Sequence, residues 1–191
     1  MGRPRKFEER RAVEAAMRAF WADGYEATST QGLCEATGLG RSSIYNTFAS
    51  KRDLFVKALT HYMDYRAARL AALLEDGAKP VRERLRTVLE WAAAPDEEDP
   101  SGCLVVNATV EFGQHDPDIA ARLEQHRRRR FDVLRAAIED GMRAGEIDGS
   151  REAGALAHFV ISTVSGIQVA ARGGADRATL QSIADTALNA L

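Results

Sequence analysis

Arg41, Ser42, Tyr45 and Asn46, with Ser43 and Thr47 between and beside them, put guanidinium, hydroxyl and amide groups into a short stretch that holds no acidic residue. Such groups donate to and accept from base edges and phosphate oxygens, so the chemistry they suit is nucleic-acid recognition. Thr30 and Gln31 upstream and Lys51 downstream add further polar ends. To act together these side chains must share a face, which calls for helices. Ser29 can accept from the free N–H groups that open a helix, Leu33, Cys34 and Ala36 give it an apolar side, and Gly38 can take the left-handed position that ends it. Gly40 is a permissive N-cap for a second helix, in which Ile44 and Phe48 share one face while Leu39 closes the turn. That apolar pair fixes the buried side and turns the polar set outward.

The segment resembles the helix-turn-helix of the TetR family of bacterial transcriptional repressors. Leu33-Cys34, Thr37-Gly38-Leu39-Gly40, Ser42-Ser43-Ile44-Tyr45, Thr47-Phe48 and Lys51 fall on the family's run of an apolar residue and Ala, Ala-Gly-Val-Ser, Gly-Thr-Leu-Tyr, His-Phe and Lys. Cys34 and Thr37 stand where the family has alanines, Gly40 replaces the usual capping Ser, Ser42 a Gly, and Thr47 a His that often touches phosphate. The lost cap at Gly40 costs only a few tenths of a kcal/mol. The resemblance covers roughly residues 7 to 60; beyond them only length and helical character are similar. It implies a DNA-binding repressor whose contacts fall on Thr30, Gln31, Arg41, Ser42, Ser43, Tyr45, Asn46, Thr47 and Lys51, with an inducer pocket and a dimer interface in the C-terminal part.

The surroundings of the segment fit that reading. Val13, Met17, Phe20 and Trp21 recur at helical spacing before Asp23-Gly24, giving a third wall to a small core. Residues 1–52 hold nine Lys or Arg against six Asp or Glu, and residues 53–191 seventeen against twenty-two, so the net charge of −2 divides into +3 and −5. Arg3 and Arg5 flank Pro4 in a basic arm. Extended, such an arm can enter a narrow minor groove; the alternative is a tail that only neutralises phosphates.

The expected architecture is all-α, with about nine helices: a three-helix DNA-binding domain over 1–52, its helix-turn-helix at about 29–48, and a larger helical domain over 53–191 for ligand binding and dimerisation. Ser50 opens a long connecting helix through Leu54, Phe55, Leu59, Tyr62 and Met63 toward Leu74. Pro80 opens the next, which stops before the acidic run Asp96 to Asp99; Cys103 to Gly113 forms a sixth, and Asp116-Pro117 caps a long seventh to about Ala144. Within it Arg127 to Arg130 reads as a solvated, salt-bridged run. Residues 152–172 are apolar around most of the circumference, and Asp176 caps a last helix with a second apolar stripe. Phe159, Val160, Val164, Ile167, Leu180, Ile183, Ala184 and Leu188 are therefore expected to form a four-helix interface between two copies, the alternative being a purely intramolecular core. A homodimer also suits DNA, since paired recognition helices reach successive major grooves about 34 Å apart.

Tyr62, Tyr65, Trp91, Cys103, Asn107, Glu111, Phe131 and Ser162 mix aromatic surface with sparse polar groups, a composition suited to a small-molecule inducer whose identity the sequence does not give. Cys103 opens a helix, where a thiol gains reactivity, so a thiol-based electrophile or oxidant sensor is an alternative regulator. A helical protein-interaction module without ligand control is another. Cys34 and Cys103 have no C-x-x-C spacing and the four histidines no ligand spacing, which predicts no disulfide, no metal and no cofactor. No nucleophile elbow or nucleotide loop points to an enzyme. The apolar runs read as too short for a membrane span, and no signal region follows the basic N-terminus, so a cytoplasmic protein is expected.

Overall fold

The computed structural model describes residues 3–94 and 99–191, with side chains from Glu9 onward. Among the described residues it is wholly helical: α1 (Arg3–Asp23), α2 (Thr30–Thr37), α3 (Arg41–Thr47), α4 (Lys51–Leu74), α5 (Val81–Ala93), α6 (Leu104–Phe112), α7 (Pro117–Arg143), α8 (Ala153–Arg172) and α9 (Arg177–Asn189). The boundaries follow from capping chemistry. Ser29 Oγ accepts from Gly32 N at 3.0 Å and Gly38 closes α2 at φ +68°. Ser50 Oγ accepts from Asp53 N at 3.0 Å, and the Asp176 carboxylate from Thr179 N at 2.8 Å. Gly40 opens α3 with no side-chain cap, as its lack of a side chain requires.

Several expectations are corrected. The basic arm is not extended from Arg3 on: α1 already includes Arg3 and Arg5, and Pro4 is tolerated in a first turn whose N–H groups have no helical partner. Met1 and Gly2 lie outside the described residues, as do Pro95 to Glu98 of the acidic loop. Ala36 faces solvent rather than the core, because α2 is short and buries only Leu33 fully. Cys103 is the N-cap of α6 rather than its first residue.

Two apolar clusters organise the chain. One joins Phe20 and Trp21 of α1, Leu33 of α2, Ile44 and Phe48 at α3, and Leu54 to Met63 of α4. It also takes in Leu104 and Ala108 of α6 and Ile119 and Leu123 of α7. The other holds Leu70 and Leu74 of α4 with α5, the distal half of α7, α8 and α9. The two clusters meet inside α4, between Met63 and Leu70. A helix seated in both cores transmits displacement between them better than a linker would.

Helix α8 is long and apolar enough, at 20 residues with a mean hydropathy of 1.4, to cross a membrane by length and composition alone, which corrects the expectation that every apolar run is too short. Its Leu156, Ala157, Val160, Val164 and Ile167 are buried against α5, α7 and α9. A core helix accounts for that pattern.

Candidate nucleic-acid interface

Ile44 and Phe48, 1% and 0% exposed, seat α3 in the apolar cluster it shares with α1, α2 and α4 and leave Arg41, Ser42, Ser43, Tyr45 and Asn46 exposed. Thr30 Oγ1 and Tyr45 Oη lie 3.3 Å apart and bridge α2 to α3. The Arg41 guanidinium lies 5.9 Å from the centroid of the Tyr45 ring, so the charged fork and the phenol present together. Gln31 is exposed, its amide donating to Glu35 at 3.1 Å, and Thr47 is half-buried at the end of α3. Lys51, the first residue of α4, holds its ammonium 4.4 Å from the centre of the Tyr25 ring and donates to the Glu26 carbonyl at 3.5 Å. Both contacts are weak enough for a phosphate to replace. The structure thus brings the α2, α3 and Lys51 residues onto one side of the small core; the side chains of Arg3 and Arg5 lie outside what is described.

This head is latched to the body at three places that the sequence did not reveal. The Glu111 carboxylate of α6 accepts from Tyr25 N at 3.0 Å and from Glu26 N at 3.2 Å, gripping the turn after α1. Gly24 in that turn has φ +85°, and a Cβ there would lie 2.7 Å from Glu111 Oε1. Arg172 at the end of α8 donates to the carbonyls of Trp21 and Ala22 at 3.2 and 3.0 Å, and Asn107 Nδ2 to that of Trp21 at 3.3 Å. Arg52 meets Asp116, the N-cap of α7, through two 2.8 Å hydrogen bonds. These bonds, with the N–H groups of Ile119 and Asp118, hold the Asp116 carboxyl down at about 2.

Comparison with known proteins decides what such a head belongs to. Residues 12–58 match the family described as "Bacterial regulatory proteins, tetR family", and residues 81–187 the "Tetracyclin repressor-like, C-terminal domain". The chain belongs to the TetR family. It is 32% identical over 189 residues to the HTH-type transcriptional repressor ComR of Escherichia coli, covering 98% of this chain and 90% of that one. It is 29% identical, over the full length of both chains, to the HTH-type transcriptional regulator YezE of Bacillus subtilis. Among solved structures it is similar to a cysteine mutant of the TetR family regulator CifR complexed with 26-bp operator DNA, with a TM-score of 0.82, 30% identity and 94% of each chain covered.

In this TetR-family chain the side chains expected to line an inducer pocket divide. Tyr62, Trp91 and Cys103 surround an internal cavity of ≈ 50 Å³ between α4, α5, α6, α7 and α8. Tyr65, 56% exposed, lines an open groove of ≈ 670 Å³ with Met17 and Trp21. The others are placed elsewhere. Asn107 and Glu111 are spent on the latches, Phe131 stacks on His158 at 4.5 Å between ring centres, and Ser162 is exposed on α8. Cys103 is 6% exposed and accepts from the Tyr62 hydroxyl at 3.5 Å, so its thiol faces the cavity rather than the outer surface. Burial, with Cys103 alongside, pushes the Tyr62 phenol well above its ordinary range.

Gln168 lines the cavity as well, with three walls missing from the expected set: Arg66, His126 and Arg130. Arg127 and Arg128 pair with Glu124 as expected of a solvated run, each at 2.6 Å, but Arg130 turns inward. Its spacing from Leu123, His126 and Leu134 puts it on the buried side of α7, and that was the available signal. The interface residues are corrected too. Val160, Val164, Ile167, Leu180, Ala184 and Leu188 are buried within this chain's own core, since α8 and α9 pack on α5 and on each other. Phe159 at 40% and Ile183 at 37% remain exposed, joined by Val169 at 56%.

Proposed function

We propose that this protein is a dimeric transcriptional repressor that binds a palindromic operator through α3 and is released when a small molecule enters the helical body. It acts in the cytoplasm and catalyses no reaction. The observation that carries the reading is the exposed polar face of α3, held by Ile44 and Phe48 with Tyr45 and Arg41 side by side. Base edges require rigidly placed donors and acceptors, and Arg41 supplies the fork that suits guanine. Thr30, Gln31, Ser42, Ser43, Asn46, Thr47 and Lys51 supply hydroxyl, amide and ammonium contacts around it, largely to the backbone.

Release follows from the latches. A ligand favours the state it fits better, and each tenfold loss of DNA affinity requires about 1.4 kcal/mol of that preference. Occupying the space between α4 and α8 would shift helices whose ends, through Arg172 and Glu111, hold the turn beneath α2. The test is selection of duplexes by the purified protein from a random library, followed by sequencing. A two-fold palindrome with half-sites about one helical turn apart is the expected result. Enrichment of no motif, or of a single asymmetric half-site, would sink the reading.

A further inference from the structure

We infer that the internal cavity is a carboxylate site, taking a small organic acid whose anionic head meets Arg130 and Arg66 and whose apolar body lies toward Trp91 and Trp21. This rests on the reading that the helical body receives a ligand and adds the ligand's chemical class. Four observations point the same way.

The first is uncompensated charge. Arg66 and Arg69 from α4 and Arg130 from α7 line one cavity of ≈ 50 Å³ whose walls, among the described residues, include no carboxylate. Among the described residues no hydrogen bond or ion pair engages Arg130, and the one interaction of Arg66 is its guanidinium 5.8 Å from the centroid of the Tyr62 ring. Asp99 lines the neighbouring cavity and is paired with Arg18 at 3.5 Å, and Glu124, which shares an open groove with Arg130, is paired with Arg127 and Arg128. Burial, with Arg66 beside it, pushes the Arg130 guanidinium below its ordinary range. A partly desolvated cation without a partner costs free energy that an anion recovers.

The second is the character of the remaining polar groups. His126 is buried, and burial together with Arg130, Arg129 and Arg66 holds it down at about 4, so it faces the cavity as a neutral imidazole near pH 7. The amide of Gln168 and the Tyr62 hydroxyl complete the polar wall. The Gln168 amide and the Tyr62 hydroxyl can donate to an anion, and among the described residues the wall holds no carboxylate to pair with a cation.

Size and continuity come third. A space of ≈ 50 Å³ holds a few water-sized groups, enough for a carboxylate but not for a whole drug-sized molecule. Arg66 also lines the adjoining ≈ 50 Å³ cavity and the open ≈ 670 Å³ groove, so it borders separate spaces for a head and a body. The body space sets apolar wall from Trp21, Trp91 and three alanines beside the polar ends of Arg69 and Asp99, so an aryl or alkyl chain would lie on the tryptophan and alanine side.

The fourth links occupancy to the head. Trp21 lines the adjoining cavity with its buried indole Nε1 unpartnered, while its carbonyl is the atom gripped by Arg172 and Asn107. A ligand body touching this indole presses on the latch itself.

Calorimetry on the full-length protein with benzoate, hexanoate and 4-phenylbutyrate, each up to about 10 mM, and with the neutral 4-phenylbutyramide tests this. Saturable binding of at least one acid, with the amide at least tenfold weaker than 4-phenylbutyrate, is expected. Arg130→Met should weaken acid binding at least tenfold and leave the ligand-free melting temperature unchanged or raised, because an unpaired charge has been removed. No saturable binding by any of the acids, equal binding of acid and amide, or undiminished binding by both Arg130→Met and Arg66→Met overturns the site. So does a fall of several degrees in the melting temperature of Arg130→Met, which would mean that the fold itself needs the charge. Operator affinity measured in parallel separates the two claims. Intact DNA binding without acid binding removes the carboxylate site alone, whereas acid binding that leaves DNA affinity unchanged keeps the site and removes ligand release.

Discussion

His126 carries a pH dependence that can be read with its sign. Its folded-state value of about 4 lies below the 6.5 of a free imidazole, so between those values the unfolded chain binds the extra proton. Stability from this group is full above pH 6.5 and falls as the pH drops toward 4, by on the order of 2 kcal/mol once partial exposure is allowed for. His126→Gln should flatten the decline in melting temperature between pH 6.5 and 4.5 relative to the parent; parallel curves would refute it. On the DNA side, Arg41→Ala should cost about 1–3 kcal/mol in each half-site and relax preference there, whereas Lys51→Ala should lower the salt slope by about two, one for each head, without changing preference. A reversed pattern in binding titrations would exchange the two roles. Arg41 and Lys51 were legible because their neighbours Ile44 and Phe48 fix the face. Arg130 was not: a run of four arginines reads as solvent-facing until Leu123 and Leu134 show which of them turns inward.

At the scale of elements, helix ends were the most legible features, since Ser29, Ser50, Asp116 and Asp176 declare themselves by type and position and each accepts the N–H expected of it. The latches were illegible for the opposite reason. Glu111 grips backbone donors 85 and 86 positions earlier, and Arg172 carbonyls 150 and 151 positions away, distances over which no periodicity speaks. Their strength is testable. Glu111→Ala leaves the N–H groups of Tyr25 and Glu26 without their carboxylate, and should cost about 1–3 kcal/mol, a fall of roughly 2–12 °C in melting temperature by calorimetry. Adding Arg172→Ala should blunt any ligand-driven change in operator affinity more than either change alone. Equal ligand response in the double variant and the parent would show that displacement travels through α4 instead. Packing gives a further check at the α5 and α7 junction. A Cβ on Gly141 would meet Ile147 Cδ1 at 2.9 Å and Val81 Cγ1 at 3.0 Å, so Gly141→Ala should destabilise by about 1–3 kcal/mol, and a gain in melting temperature would refute the tight fit.

For the whole molecule, composition alone overstated the surface left for a partner. The apolar residues of α8 and α9 exceed what one face can hold, and most of the excess is absorbed by α5 and α7 within the chain. What remains on α8 is a stripe of Phe159, Ser162, Gly166 and Val169 at helical spacing, with Ile183 exposed on α9. Nothing lies within 4 Å of a Cβ built on Gly166, so a second helix could approach closely there. A two-fold pairing through this stripe would bring Phe159 and Val169 of both copies out of water, and the proposed reading of a palindrome would depend on it, because a single α3 spans too few base pairs. Phe159→Glu combined with Ile183→Glu should therefore give a folded monomer in light scattering, its helicity kept because neither side chain belongs to the buried core. Its operator affinity should fall steeply, and the slope of log affinity against log salt should drop to about half, since one head rather than two displaces counterions. Val164→Glu is the contrast: that side chain is 5% exposed inside the chain's own core, so the charge should unfold the body rather than split a dimer. A double variant that stays dimeric with an unchanged salt slope would move the interface to another face, and the groove along α6 and α7 lined by Val106, Val110 and Ala120 would be the next surface to charge.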